Sequence, residues 1–173
     1  MNAFRQASEI ERIAKVELMP WFLMRTERAD EVPPGLFLQK LAGDYVVTLA
    51  GKQYGLEIKA EERHTGNWYL ETWSNLPELN PGWMVTSRAD WLAYFFCDVR
   101  VLYITNMRQL QSWAFGANGK PGQIYNYPEK QQSKYAQLNY TTGRVVPISE
   151  IQRAGLQIKK FTAEDRKQPH LTN

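Results

Sequence analysis

Asp44, Glu57 and Lys59 are the residues of this chain whose types and spacing could do chemistry together. Glu57 and Lys59 sit in the run Tyr54-Gly55-Leu56-Glu57-Ile58-Lys59-Ala60-Glu61. Side chains alternate between the two faces of a strand. Leu56, Ile58 and Ala60 would therefore enter a core, while Glu57, Lys59 and Glu61 share the opposite face. Asp44 opens a second such run, Asp44-Tyr45-Val46-Val47-Thr48-Leu49, whose β-branched and aromatic residues suit a strand. A short turn over Lys52 to Tyr54, with Gly51 at its start, predicts an antiparallel hairpin. The pairing would bring Asp44 near Glu57 and Lys59. Two carboxylates of this kind suit a hard divalent cation, with an ammonium beside it.

Asp44 followed by Glu57-Ile58-Lys59 resembles the signature of the PD-(D/E)XK nuclease superfamily, which includes many restriction enzymes and Holliday junction resolvases. The motif covers residues 44 to 59, and Gly43 stands where the pattern has proline. The resemblance implies an α/β (α+β) fold with a restriction endonuclease-like core, a mixed central sheet flanked by helices, in one domain over residues 1–173. It implies a DNA endonuclease that uses Mg²⁺, with Mn²⁺ as a substitute, on duplex or branched DNA. Resolvase-like and phage-type members of this size often act as homodimers. It further implies Asp44, Glu57 and the carbonyl oxygen of Ile58 as metal ligands. Lys59 would hold or deprotonate the attacking water, or stabilise the phosphoryl oxygens. Several branches add a first-helix glutamate, which makes Glu9 and Glu11 candidates. Glu71 is another, provided its strand pairs in register with the one carrying Glu57. Metal binding should weaken as pH falls and the carboxylates protonate.

Two other readings stand beside this one. The chain could be a catalytically inactive nucleic-acid-binding protein of the same fold, or a small protein-interaction module. In the blandest case Glu57 and Lys59 only form a surface ion pair, worth about 0–1 kcal/mol.

The 173 residues suffice for one substantial core, and 43% hydrophobic with 23% charged residues is an ordinary globular balance. A net charge of +3 permits nucleic-acid binding without requiring it. One cysteine, Cys97, excludes an internal disulfide, and with only two histidines a structural zinc site is not expected. No apolar run is long enough to span a membrane, and the first residues lack a signal-peptide layout, so a cytoplasmic protein is the expectation.

The elements that must position these groups follow from periodicity. Apolar residues at helical spacing predict a helix over residues 4 to 26, kinked or broken by Pro20. Residues 25–35 read as a loop and Leu36 to Leu41 as a first strand. Asn67 to Trp73 reads as a strand after the hairpin. Ser87 reads as the cap of a helix carrying Ala89, Leu92, Ala93 and Phe96, with Cys97 at its apolar end. Val99 to Ile104 suits a buried strand, Met107 to Phe115 a helix, 145–148 an extended piece, 149–154 a short helix and 156–161 an edge strand. Residues 116–144 read as an irregular excursion in which Lys120, Tyr125, Tyr127, Lys130, Lys134 and Arg144 are candidate nucleic-acid contacts, because cations neutralise phosphates and rings stack on bases.

Overall fold

Leu92-Ala93-Tyr94-Phe95-Phe96 is apolar on every side, and the structure puts it in the middle of a sheet rather than in a helix. The computed structural model describes residues 3–33, 35–135 and 139–167. The first part of the chain forms α1 (Ala3–Arg25), β1 (Arg28–Glu31), α2 (Leu36–Ala42), β2 (Tyr45–Leu49) and β3 (Lys52–Glu61). Next come β4 (Asn67–Asn75), β5 (Asn80–Pro81), α3 (Trp83–Thr86), β6 (Trp91–Phe96), β7 (Val101–Asn106) and α4 (Met107–Phe115). The remainder forms β8 (Gly116–Ala117), β9 (Lys120–Pro121), a 3₁₀ turn at Ile124–Asn126, β10 (Glu129–Tyr135), β11 (Asn139–Pro147), α5 (Ile148–Arg153), β12 (Ile158–Phe161) and α6 (Ala163–Lys167).

The fold is mixed α/β. Its central sheet has the order β1-β2-β3-β6-β7-β12, with every pair antiparallel except β3 and β6, which run parallel. One face of this sheet packs on α1: Leu56, Ile58, Ala93, Phe95 and Leu102 meet Ala14, Leu18, Trp21 and Phe22. On the other face Leu92, Tyr94, Phe96 and Tyr103 pack against α4 and a second antiparallel sheet, β10-β11-β4-β5. Trp68 of β4 is fully buried there and stacks on Tyr94 with ring centroids 5.2 Å apart. The expected hairpin forms with Tyr45 opposite Leu56. Its turn is tighter than expected: Ala50 and Gly51 both have positive φ, and Lys52 already belongs to β3. Among the described residues no helix is long and apolar enough to cross a membrane.

Four sequence expectations are corrected. Ser87 caps no following helix; it ends α3, and Leu92 to Phe96 form β6. An unbroken apolar run satisfies helical spacing as well as strand spacing, so the stripe Ala89-Leu92-Ala93-Phe96 was not diagnostic. Leu36 to Leu41 form a helix, not a strand. Gly35 precedes it, and the Gly43 N–H closes its last turn on the Gln39 carbonyl at 2.8 Å. The loop over 25–35 contains β1, which pairs with β2. The excursion over 116–144 holds β10 and β11, which extend β4 into the second sheet. Pro20 does not end α1, which runs as one helix from Ala3 to Arg25 although Pro20 has no N–H to donate.

Candidate active site

Asp44 and Glu57 are among the few buried acids of the chain, 9% and 8% exposed. Burying a charge is costly unless it is paired and hydrogen-bonded, and both carboxylates meet that condition. Asp44 Oδ2 accepts the backbone N–H of Ile58 at 2.8 Å, and its Oδ1 lies 3.0 Å from Lys15 Nζ. Glu57 Oε1 lies 2.9 Å from Lys59 Nζ, while its Oε2 accepts the Ser87 hydroxyl at 3.0 Å. Glu57 and Lys59 alternate with core-facing Leu56 and Ile58, the strand pattern read from the sequence. Asp44 arrives because β2 pairs with β3, and the Asp44 N–H donates to the Leu56 carbonyl at 2.8 Å.

Asp44, Glu57, Lys59 and Ser87 line a cleft of about 240 Å³, together with Glu11, Gln39, Trp83 and Thr86. Glu11 reaches it from the flank of α1, 3.9 Å from Lys59 Nζ. The Trp83 ring lies under the same ammonium, 5.8 Å from its centroid. Burial works against the charged form of Lys59, but Glu57, Glu11 and Asp44 outweigh it and raise its pKa. Burial likewise opposes a charged Lys15, and Asp44 prevails over it, again raising the pKa. Both lysines are therefore cations at neutral pH. A protonated ammonium stabilises negative charge, whereas a general base must first give up its proton.

Gly43 explains the departure from the proline of the motif. Its φ is +79°, and a Cβ there would lie 2.5 Å from the Leu56 carbonyl oxygen. Proline is locked near φ −65°, so this approach of α2 to β3 excludes it.

Hard-metal chemistry fits the donors present. Among the described residues no group of three or more His, Cys, Asp or Glu side chains is arranged around a point. Mg²⁺, however, needs only one or two carboxylates and keeps its waters for the rest. Each carboxylate oxygen has two lone pairs, so Asp44 and Glu57 can accept a further partner without releasing the first. In an extended strand a residue's N–H and C=O point to the same edge. The Ile58 carbonyl therefore faces the Asp44 side, beyond the last β2–β3 pair, Tyr45 with Leu56.

The other candidates fall elsewhere. Glu9 pairs with Arg12 on the exposed side of α1. Glu71 lies opposite Gly143 in the second sheet and does not line the cleft, because β4 pairs with β11 and β5 rather than with β3. Among the proposed nucleic-acid contacts, Lys120, Tyr125 and Lys130 are exposed. Tyr127 packs toward Trp113, and Arg144 is held by the Tyr127 carbonyl and Glu129. The side chain of Lys134 lies outside the described residues.

Sequence reasoning missed Lys15, Gln39 and Trp83, and assigned Ser87 a different partner. The i,i+4 spacing of Glu11 and Lys15, which puts both on one face of α1, was the signal available for Lys15. Comparison with known proteins finds no matching family model, no matching curated protein and no matching solved structure.

Proposed function

We propose that the chain is a Mg²⁺-dependent DNA endonuclease of the PD-(D/E)XK type, with Mn²⁺ as a substitute metal. The observation that carries the reading is the convergence of Asp44, Glu57 and Lys59 in one cleft, with the intervening Ile58 amide clamped by Asp44. The finer reading of a restriction endonuclease-like core rests on the order α1-β1-α2-β2-β3, followed after β4, β5 and α3 by β6, which lies parallel beside β3. Asp44, Glu57 and the Ile58 carbonyl would hold the metal, with Glu11 at the mouth as a further acid. Once bound, the ion supplies Lewis-acid stabilisation of the phosphate and activation of water.

The chain's own groups do the rest. The Lys59 ammonium neutralises charge that develops on the phosphoryl oxygens, a preorganised electrostatic role. Glu57 holds that ammonium in place and is itself fixed by the Ser87 hydroxyl. Lys15 orients Asp44 through their 3.0 Å ion pair. The Trp83 ring covers the cleft beside Lys59 and limits the water that reaches it.

The deciding experiment is cleavage of supercoiled plasmid, linear duplex, single strand and a four-way junction, each in Mg²⁺, Mn²⁺ or EDTA. Metal-dependent cutting that disappears in folded Glu57→Gln supports the reading. No cutting of any substrate in either metal refutes it.

A further inference from the structure

On the other side of α3 from the cleft lies a second recess, of about 490 Å³. Its walls include the rings of Trp73, Phe115 and Tyr125 and the polar side chains of Arg88 and Gln111. α3 is the partition between the two. Trp83 and Thr86 line the cleft, whereas Met84 and Val85 line the recess. Gln111 pins that partition from α4: its amide nitrogen donates to the Met84 carbonyl at 3.1 Å and the Ser87 carbonyl at 2.9 Å. The Gln111 side-chain carbonyl is left as an acceptor with no partner among the described residues.

Two cations link the recess to the cleft. The Arg88 N–H donates to the Lys40 carbonyl at 2.7 Å, and Lys40 and Arg88 flank a shallow depression with Thr86 and Val85 between them. Lys40 also lines the cleft and Arg88 the recess, so the three concavities adjoin through shared walls. Both side chains are exposed, and neither forms an ion pair with a described residue. Tyr125 is 64% exposed, with the Arg144 guanidinium 5.8 Å from its ring centroid.

We propose that this recess receives an unpaired nucleobase from the strand whose phosphate lies in the cleft. The preferred substrate is then a nucleic acid with a bulged, mismatched or otherwise unstacked nucleotide near the scissile bond. The inference rests on the nuclease reading of the cleft. Aromatic walls suit a flat base, because stacking needs only a π-face and is indifferent to sequence. The Gln111 carbonyl meets an N–H on the base edge, the mode by which extruded bases are held. Lys40 and Arg88 meet the intervening phosphates. The partition is one helix across, roughly 10 Å, which at about 3.4 Å per nucleotide is a few nucleotides of strand. A purely apolar ligand would leave Arg88 and Gln111 without partners.

The test uses duplexes carrying 2-aminopurine either in a single-base bulge or fully paired, titrated with the full chain in EDTA so that no cutting occurs. The bulged duplex is expected to bind about tenfold more tightly, with its fluorescence quenched by stacking. Tyr125→Ala and Trp73→Ala should lose both the preference and the quenching, while Tyr125→Phe keeps them. Equal binding of bulged and paired duplexes, or unchanged quenching in both alanine variants, overturns the proposal. A parallel plasmid-cleavage assay in Mg²⁺ separates it from the reading on which it rests. Cutting without bulge preference refutes the recess alone, and quenching without cutting in any metal refutes the nuclease alone. Failure to bind nucleic acid of any form refutes both.

Discussion

Asp44 Oδ2 and the Ile58 N–H are joined by a 2.8 Å hydrogen bond that ties the carboxylate to the backbone between Glu57 and Lys59. A side chain just before β2 thereby holds the backbone of β3 between Glu57 and Lys59. Anything that moves residue 44 must also move 57 and 59.

Gly43→Ala tests this coupling directly. The substitution forces a Cβ against the Leu56 carbonyl at a φ that L-residues seldom adopt. A loss of about 3 kcal/mol in urea unfolding is expected, since strain and displacement add. Activity should fall further than stability alone explains. A variant of unchanged stability would show that α2 can shift away freely.

Lys59 is expected to act through its charge. Lys59→Met should lower the cleavage rate by about 10²–10³-fold, the usual loss on removing one electrostatic stabiliser. Lys59→Arg should keep part of the activity, because a guanidinium is always charged. The pH–rate profile of the wild type should show no rise assignable to lysine deprotonation near neutrality, given the raised pKa. Complete inactivity of the arginine variant together with such a rise would favour the general-base role.

Lys15, 3.0 Å from Asp44, repels any cation bound beside it. Lys15→Met removes a like charge from beside the proposed metal ligands, so Mn²⁺ affinity by calorimetry should increase, by about tenfold at the short distances involved. A decrease would mean that orientation of Asp44 outweighs repulsion.

Glu61 provides a pH signature of the fold, independent of catalysis. Burial raises its carboxyl pKa above 4.5, and the bond donated by the Tyr94 hydroxyl offsets that only in part. Between 4.5 and the raised value the folded chain holds a proton that the unfolded chain has released. Stability from this group is therefore full below that window and is lost as pH rises through it. Glu61→Gln should abolish this portion of the slope in denaturation series run from pH 4.5 to neutrality. An identical slope in variant and wild type would show that Glu61 titrates normally.

The hairpin and its alternation were legible because period-2 patterning and the turn at Gly51 act within neighbouring residues. The helix α1 and the pair β7–α4 were legible for the same reason. β6 was not, since a strand buried on both faces has no polar face to set its period. Its neighbours, β3 on one side and β7 on the other, decide its conformation. α2 was misread because its glycine boundaries and its approach to β3 are tertiary facts. Asp44, Glu57 and Lys59 could be named from spacing alone, yet Ser87 and Trp83 could not. They enter the cleft from a segment whose path depends on the second sheet.

The parallel ladder between β3 and β6 has a consequence for the order in which the molecule assembles. The strands β1-β2-β3 and β6-β7 are local antiparallel meanders, with tight turns at β2–β3 and β6–β7 and α2 bridging β1 to β2. Joining them requires the whole crossover through β4, β5 and α3, and long loop closures of this kind are slow steps. Ser87 and Trp83 lie at the end of that crossover, and Glu57 lies across the seam from Leu92. The cleft thus comes into being only when the two meanders dock, and its assembly reports completed folding where strand content alone would not.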